Sequence, residues 1–135
     1  MQLEYLLDTN ACINYLNHTQ SKIASIIRST PSTSIAVCSV VKAELFFGSR
    51  KSKNPRLNLA RQMAFLENFI SLPFDDAAAD HYANVRAALA ARGTLIGPYD
   101  LQIAAIALAN NLTLVTHNTS EFSRVDGLRL EDWEI

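Results

Sequence analysis

The sequence predicts an α/β fold: a three-layer α/β/α sandwich around a mainly parallel sheet of about five strands, in a single domain spanning residues 1–135. Three observations predict it. The chain carries short, mostly apolar runs (LEYLL, IAVC, SLPF, LTLVT and LRLED), of which IAVC is β-branched and wholly apolar, as expected of a strand covered on both faces. Between them lie stretches with apolar residues at helical spacing, so strands and helices alternate as in βαβ units. Finally, 135 residues that are 49% hydrophobic and 19% charged suit one core of ordinary size.

The elements follow in order. LEYLL (3–7) is a first strand, ended by Asp8. From Asn10, Ile13, Leu16 and Asn17 fall at helical spacing. TQSKIASIIRS continues that segment through Ile23, Ile26 and Ile27 until Pro31 breaks it. Ile35 to Cys38 is the second strand. Ser39 then caps a helix through VVKAELFFGSR, and NPRLNLARQMAFLENFI opens on an Asn-Pro cap with Leu59, Met63, Leu66 and Ile70 along one side. SLPF is a third strand. Asp75 caps a long Ala-rich helix that Gly93 ends in the left-handed conformation. Gly97 and Pro98 start the next helix, LTLVT is the fourth strand, HNTSEF a polar loop, and LRLED a fifth strand.

Composition narrows the function classes. No apolar run approaches the roughly 20 residues of a membrane helix, and MQLEYLLDTN lacks the basic and apolar regions of a secretory signal. Cys12 and Cys38 are too few for a disulfide scaffold and read as reduced, partly buried thiols of a cytoplasmic protein. Net charge is −1, but its distribution is uneven: no acid falls between Glu44 and Glu67, whereas Arg50, Lys51, Lys53, Arg56 and Arg61 do. RKSKNPR is either a solvated loop or a basic rim for a polyanion.

Three acids sit where burial is expected: Asp8 at the end of a strand, Glu44 on the face of its helix shared with Val40, Val41 and Gly48, and Asp100 on the stripe of Ile103, Ala104, Ala107 and Leu108. Each has an ordinary role open to it. Asp8 can cap a helix, Glu44 can reach solvent past the apolar edge, and Asp100 can complement a helix dipole. As a cluster they mean something else. Two carboxylates about 4 Å apart repel by roughly 4 kcal/mol at an effective dielectric near 20, so a converging trio needs a cation. All-oxygen donors select hard ions such as Mg²⁺ or Mn²⁺, which activate water and orient a phosphodiester.

LLDTN (6–10), SVVKAELFFGSRKS (39–52), GPYDLQIAAIALANN (97–111), LVTHNTSEF (114–122) and GLRLEDW (127–133) together resemble the PIN-domain ribonucleases, most closely the VapC toxins of VapBC toxin–antitoxin pairs. The resemblance runs nearly end to end. It implies a PIN-like sandwich and Mg²⁺- or Mn²⁺-dependent cleavage of single-stranded RNA, with Asp8, Glu44 and Asp100 as catalytic acids and Asp8 and Asp100 as metal ligands. Many PIN domains place a further Asp where this chain has Asn118, and Glu121 is the alternative fourth acid. Thr9, Asn10, Thr116 and Asn118 are then candidates to orient the carboxylates. Arg50, Lys51, Lys53 and Arg56 are the candidate RNA-binding residues. His117 is the histidine nearest these motifs; His18 and His81 read as structural.

The resemblance also implies substrate and partners: initiator tRNA cut in its anticodon loop, a VapB-type antitoxin covering the site, and a homodimer joining a hetero-oligomeric toxin–antitoxin assembly. Phe46, Phe47, Met63 and Phe65 are candidates to line the antitoxin groove, with core packing as the alternative. A receiver or haloacid-dehalogenase-like domain also places Asp at strand ends, but the latter wants a second Asp where Asn10 stands. An inactive PIN-like RNA- or protein-binding module is the remaining alternative, kept open by Asn118.

Overall fold

The computed structural model describes residues 2–135. Five parallel strands, β1 (Tyr5–Leu7), β2 (Ile35–Cys38), β3 (Ile70–Leu72), β4 (Thr113–Val115) and β5 (Leu130–Glu131), form one sheet in the order β3-β2-β1-β4-β5. Register follows from paired residues: Tyr5 and Leu6 face Ile35 and Ala36 on one side of β1, and Thr113 and Leu114 on the other. All of β2 is buried, as a central strand covered on both faces must be, whereas Ile70 and Ser71 of edge strand β3 are exposed.

Helices fill every crossover: α1 (Thr9–Asn17) and α2 (Lys22–Ser29), α3 (Ser39–Arg50) and α4 (Pro55–Leu66), α5 (Asp76–Ala91) and α6 (Pro98–Ala109), then α7 (Thr119–Phe122). The chain winds outward from β1 to β3, then returns to β4 on the other side of β1. Right-handed crossovers therefore put α1–α4 on one face and α5–α6 on the other. The winding reverses between β1 and β4. Loops leaving their carboxyl ends diverge there and open a crevice, the usual place for a ligand in such sheets.

Several expectations from sequence are corrected. The helical segment after Asn10 is two helices, because the Ser21 hydroxyl accepts from the Ala24 N–H at 3.2 Å and starts α2 afresh. Ser39 is the first helical residue of α3 rather than its cap; Cys38 holds that position, and no side chain caps it. The α4 helix ends at Leu66, with Phe65 and Leu66 as its buried residues. Met63 is exposed, and Ile70 belongs to β3. HNTSEF contains the short helix α7.

Other punctuation is as expected. Asp75 Oδ1 accepts from Ala78 N–H at 3.0 Å, and Gly93 ends α5 at φ +68°. At φ +55°, Asn111 does the same for α6. Both cysteines are free and fully buried. No helix among the described residues is long and apolar enough to cross a membrane.

Candidate active site

The acids meet in a cavity beyond the carboxyl ends of β1 and β2, closed by the start of α6. Leu6 and Leu7 anchor β1 in the core with no exposure, so the residue that follows must leave the sheet at its carboxyl edge. That residue is Asp8. Its backbone N–H still donates to Val115 O of β4 at 3.1 Å, while its Oδ1 accepts from the Ala11 N–H at 2.8 Å and caps α1. The capping role open to Asp8 is therefore real. Yet Asp8 is only 4% exposed, deeper than a cap requires. Burial pushes its carboxyl up to about 6, opposed by hydrogen bonds from Thr116 and Ala11 and reinforced by the charges of Asp100 and Glu134.

Asp100 reaches the cavity from the first turn of α6. Pro98 at the helix start leaves its missing N–H without cost. The helix behind it is buried nearly all round, from Leu101 through Ala107, so the expected stripe widens into a whole buried cylinder. This cylinder fixes Asp100 in place. The carboxyl is half-buried, and burial first, then the charges of Glu44 and Glu121, raise it above the usual carboxylate range. Glu44 projects from α3, where Val41 and Leu45 are buried and hold its helix on the sheet. Its Oε1 accepts a hydrogen bond from Thr9 Oγ1 at 2.5 Å.

Asp8, Thr9, Asn10, Glu44 and Asp100 line one cavity of about 780 Å³. The ion pairs among the described residues are Arg92–Asp126 and His117–Asp132, which leaves the three acids without a cationic partner. A donor set of oxygens alone, with burial disfavouring the charge of Asp8 and Asp100 and no ion pair to either, fits a hard divalent cation.

The fourth acidic position resolves into a pair. Thr116 is buried, and its hydroxyl accepts from the Asn118 N–H at 2.9 Å; Asn118 Nδ2 in turn donates to Glu121 Oε2 at 3.0 Å. Asn118 therefore positions Glu121, whose charge is felt by Asp100.

Of the basic candidates, Lys51 lines the cavity, whereas Arg50 turns back to Phe46 O of its own helix at 3.0 Å. Lys53 and Arg56 are exposed and lie outside the cavity lining. The apolar candidates divide too. Phe65 is core, stacked on Tyr15 with ring centroids 4.4 Å apart, and Phe46 packs against the core; Phe47 and Met63 are exposed.

The sequence reading missed the C-terminal tail. Asp132 and Glu134 were given no role there, but among the described residues His117, Asp132 and Glu134 form a group whose ligand-type atoms lie within 4.8 Å of one another. His117 Nδ1 is 2.9 Å from Asp132 Oδ2, and that bond raises the imidazole above its ordinary value. The available signal was Trp133, a lone large apolar residue between the two acids. It is buried edge-on against Tyr5 of β1, with centroids 5.0 Å apart.

A doubly wound parallel sheet with acidic side chains gathered beyond the carboxyl ends of its strands defines an α/β protein whose site has the oxygen donors a divalent cation would use. The PIN domain family model matches residues 5–128, and the chain belongs to that family. It is 39% identical over 131 residues to the tRNA(fMet)-specific endonuclease VapC of Shigella flexneri, covering 97% of this chain and 98% of that protein. It is 37% identical to Ribonuclease VapC2 of Rickettsia felis, covering 96% and 98%. Among solved structures, DNA-bound VapBC from Salmonella typhimurium superposes with a TM-score of 0.92 at 38% identity, covering 97% of this chain and 98% of that one. VapBC2 from Rickettsia felis, bound to a promoter DNA fragment, gives 0.90 at 36%, covering 98% and 99%.

Proposed function

We propose that this chain is the toxin of a toxin–antitoxin pair: a divalent-metal-dependent endoribonuclease that acts in the cytoplasm on the anticodon loop of initiator tRNA. It acts as one domain. One observation carries the reading: Asp8 and Asp100 share a cavity, both carboxyls are raised above the usual range, by burial first and then by neighbouring acids, and neither is in an ion pair among the described residues. The substrate rests on the printed activity of the 39% identical Shigella flexneri relative. A VapB-type antitoxin as partner, joined with a toxin homodimer in a hetero-oligomer, rests on the VapBC complexes of matching fold.

Asp8 and Asp100 are the residues that hold Mg²⁺ or Mn²⁺. The bound ion supplies Lewis acidity to water and offsets charge that builds on the phosphate oxygens. Thr116 and the Ala11 N–H aim the Asp8 carboxylate. Thr9 occupies Oε1 of Glu44, which leaves Oε2 to take the proton of the water that attacks phosphorus in line, while the P–O bond opposite breaks and its leaving oxygen takes a proton from solvent. Glu121, steadied by Asn118, adds negative potential at Asp100, and Lys51, which lines the cavity, meets an incoming phosphate. No protein nucleophile is needed.

The test is incubation of purified initiator tRNA, beside total RNA, with the antitoxin-free chain and Mg²⁺, Mn²⁺ or EDTA. A single cut in the anticodon loop, abolished by EDTA, is expected. Cleavage of a different RNA keeps the nuclease and discards the tRNA; no cleavage by folded protein leaves the binding-module reading.

A further inference from the structure

A site that handled only water, a cation and a phosphate would have no use for exposed rings. Phe47 is 62% exposed and Tyr99 57%, and both line the cavity that holds Asp8 and Asp100. Each stands on a helix that carries one of the acids. Phe47 lies three residues beyond Glu44 on α3, and Tyr99 directly precedes Asp100 on α6. Neither ring belongs to the aromatic pairs found among the described residues. Phe47 does meet a cation: Lys51 Nζ sits 4.8 Å from its ring centroid.

Carboxylates, exposed aromatic rings and an ammonium lining one cavity match the chemistry of single-stranded nucleic acid. The phosphodiester belongs with the carboxylates and the ammonium. Bases stack on aromatic rings whatever their identity, because each has a π face. Unpaired bases of RNA loops are held in this way, whereas bases inside a duplex are already stacked. An apolar peptide would also contact the rings, but it would bury the carboxylates further without pairing them and would offer Lys51 no anion.

We propose that Phe47 and Tyr99 are base-stacking walls that hold the nucleobases on either side of the phosphate placed over Asp8 and Asp100. The inference rests on the ribonuclease reading above and adds to it a physical reason for choosing unpaired RNA.

The test measures cleavage kinetics of the full chain on a short single-stranded RNA, and on the same RNA made abasic on both sides of the cut. Phe47→Ala and Tyr99→Ala are each expected to raise KM by about tenfold or more, with a smaller change in kcat. Phe47→Tyr and Tyr99→Phe are expected to stay near the parent. Abasic RNA should weaken the parent by a similar factor and the alanine variants no further. An unchanged KM in both alanine variants, with a parent that cuts RNA, overturns the stacking walls and leaves the ribonuclease intact. The same result with lost binding of an antitoxin peptide also overturns it and gives the rings to a protein partner. A parent that cuts no RNA defeats the ribonuclease reading itself, and the inference with it.

Discussion

Thr9 Oγ1 donates a hydrogen bond of 2.5 Å to Glu44 Oε1, joining the start of α1 to the middle of α3 across 35 residues of sequence. The bond fixes one oxygen of Glu44, a residue that lines the cavity, and leaves the other without a hydrogen-bond partner among the described residues. Supporting partners of this kind commonly cost 10–100-fold when removed from metal sites. Thr9→Ala is therefore expected to lower kcat by about tenfold or more while the melting temperature stays near that of the parent. Thr9→Ser, which keeps the hydroxyl, should restore most of the rate. Equal rates for Thr9→Ala and parent would remove Glu44 orientation from the account.

Asp8 links the site to stability. Burial raises its carboxyl from an ordinary 3.8 to about 6, so the folded chain binds that proton more tightly than the unfolded one. Stability then falls as pH rises from about 4 to about 6, and above that the full cost is present, on the order of 3 kcal/mol. In metal-free protein, Asp8→Asn is expected to raise the urea midpoint near pH 7.5 and to flatten its pH dependence between 4 and 6. Asp100, raised in the same direction, leaves a residual slope. A lower midpoint for Asp8→Asn at neutral pH would contradict the buried-charge account.

Lys51 lines the cavity and Lys53 stands exposed two residues on. Each phosphate contact on a single strand contributes a slope of about 0.7 to the salt dependence of binding. Replacing both lysines with alanine should weaken RNA cleavage and flatten its salt dependence by about one unit, with divalent-ion binding unchanged. An unaltered slope would return RKSKNPR to a solvated loop.

Trp133 anchors the tail, and its Nε1–H donates to Glu131 Oε1 at 2.8 Å. Trp133→Ala removes a buried ring, which costs about 3–5 kcal/mol in protein cores. It should also free Asp132 from His117, so the imidazole falls back toward its ordinary range, readable by proton NMR of the ring. A destabilised variant whose His117 still titrates high would show that the tail is held by something else.

The fold was legible because its strands are short and mostly apolar, and because proline, glycine and aspartate mark the helix ends. Ile35–Cys38 and the Gly97–Pro98 start fall where pattern and capping rules agree. The break at Ser21 was hidden, since Ile23, Ile26 and Ile27 continue a helical spacing that only a side-chain cap interrupts. Ile70 misled for the opposite reason: an apolar residue in phase with a helix serves instead on an exposed edge strand. Asp8, Glu44 and Asp100 stood out as acids on apolar faces, and the fold brings them to one cavity. The approach of Asp132 and Glu134 to His117 was not readable, because it depends on where β5 docks beside β4. Nor was the choice between Phe46 and Phe47, neighbours in sequence whose exposure depends on how α3 is rotated.

The most direct test of the central claim is RNA cleavage by the parent chain and by Asp100→Asn, each with Mg²⁺ and with EDTA, together with the melting temperature of each under both conditions. Metal-dependent cleavage and metal-dependent stabilisation, both present in the parent and both lost in Asp100→Asn, are predicted. Cleavage that survives EDTA, or an Asp100→Asn variant that keeps both effects, would contradict an acidic, cation-holding site beyond the carboxyl ends of the strands.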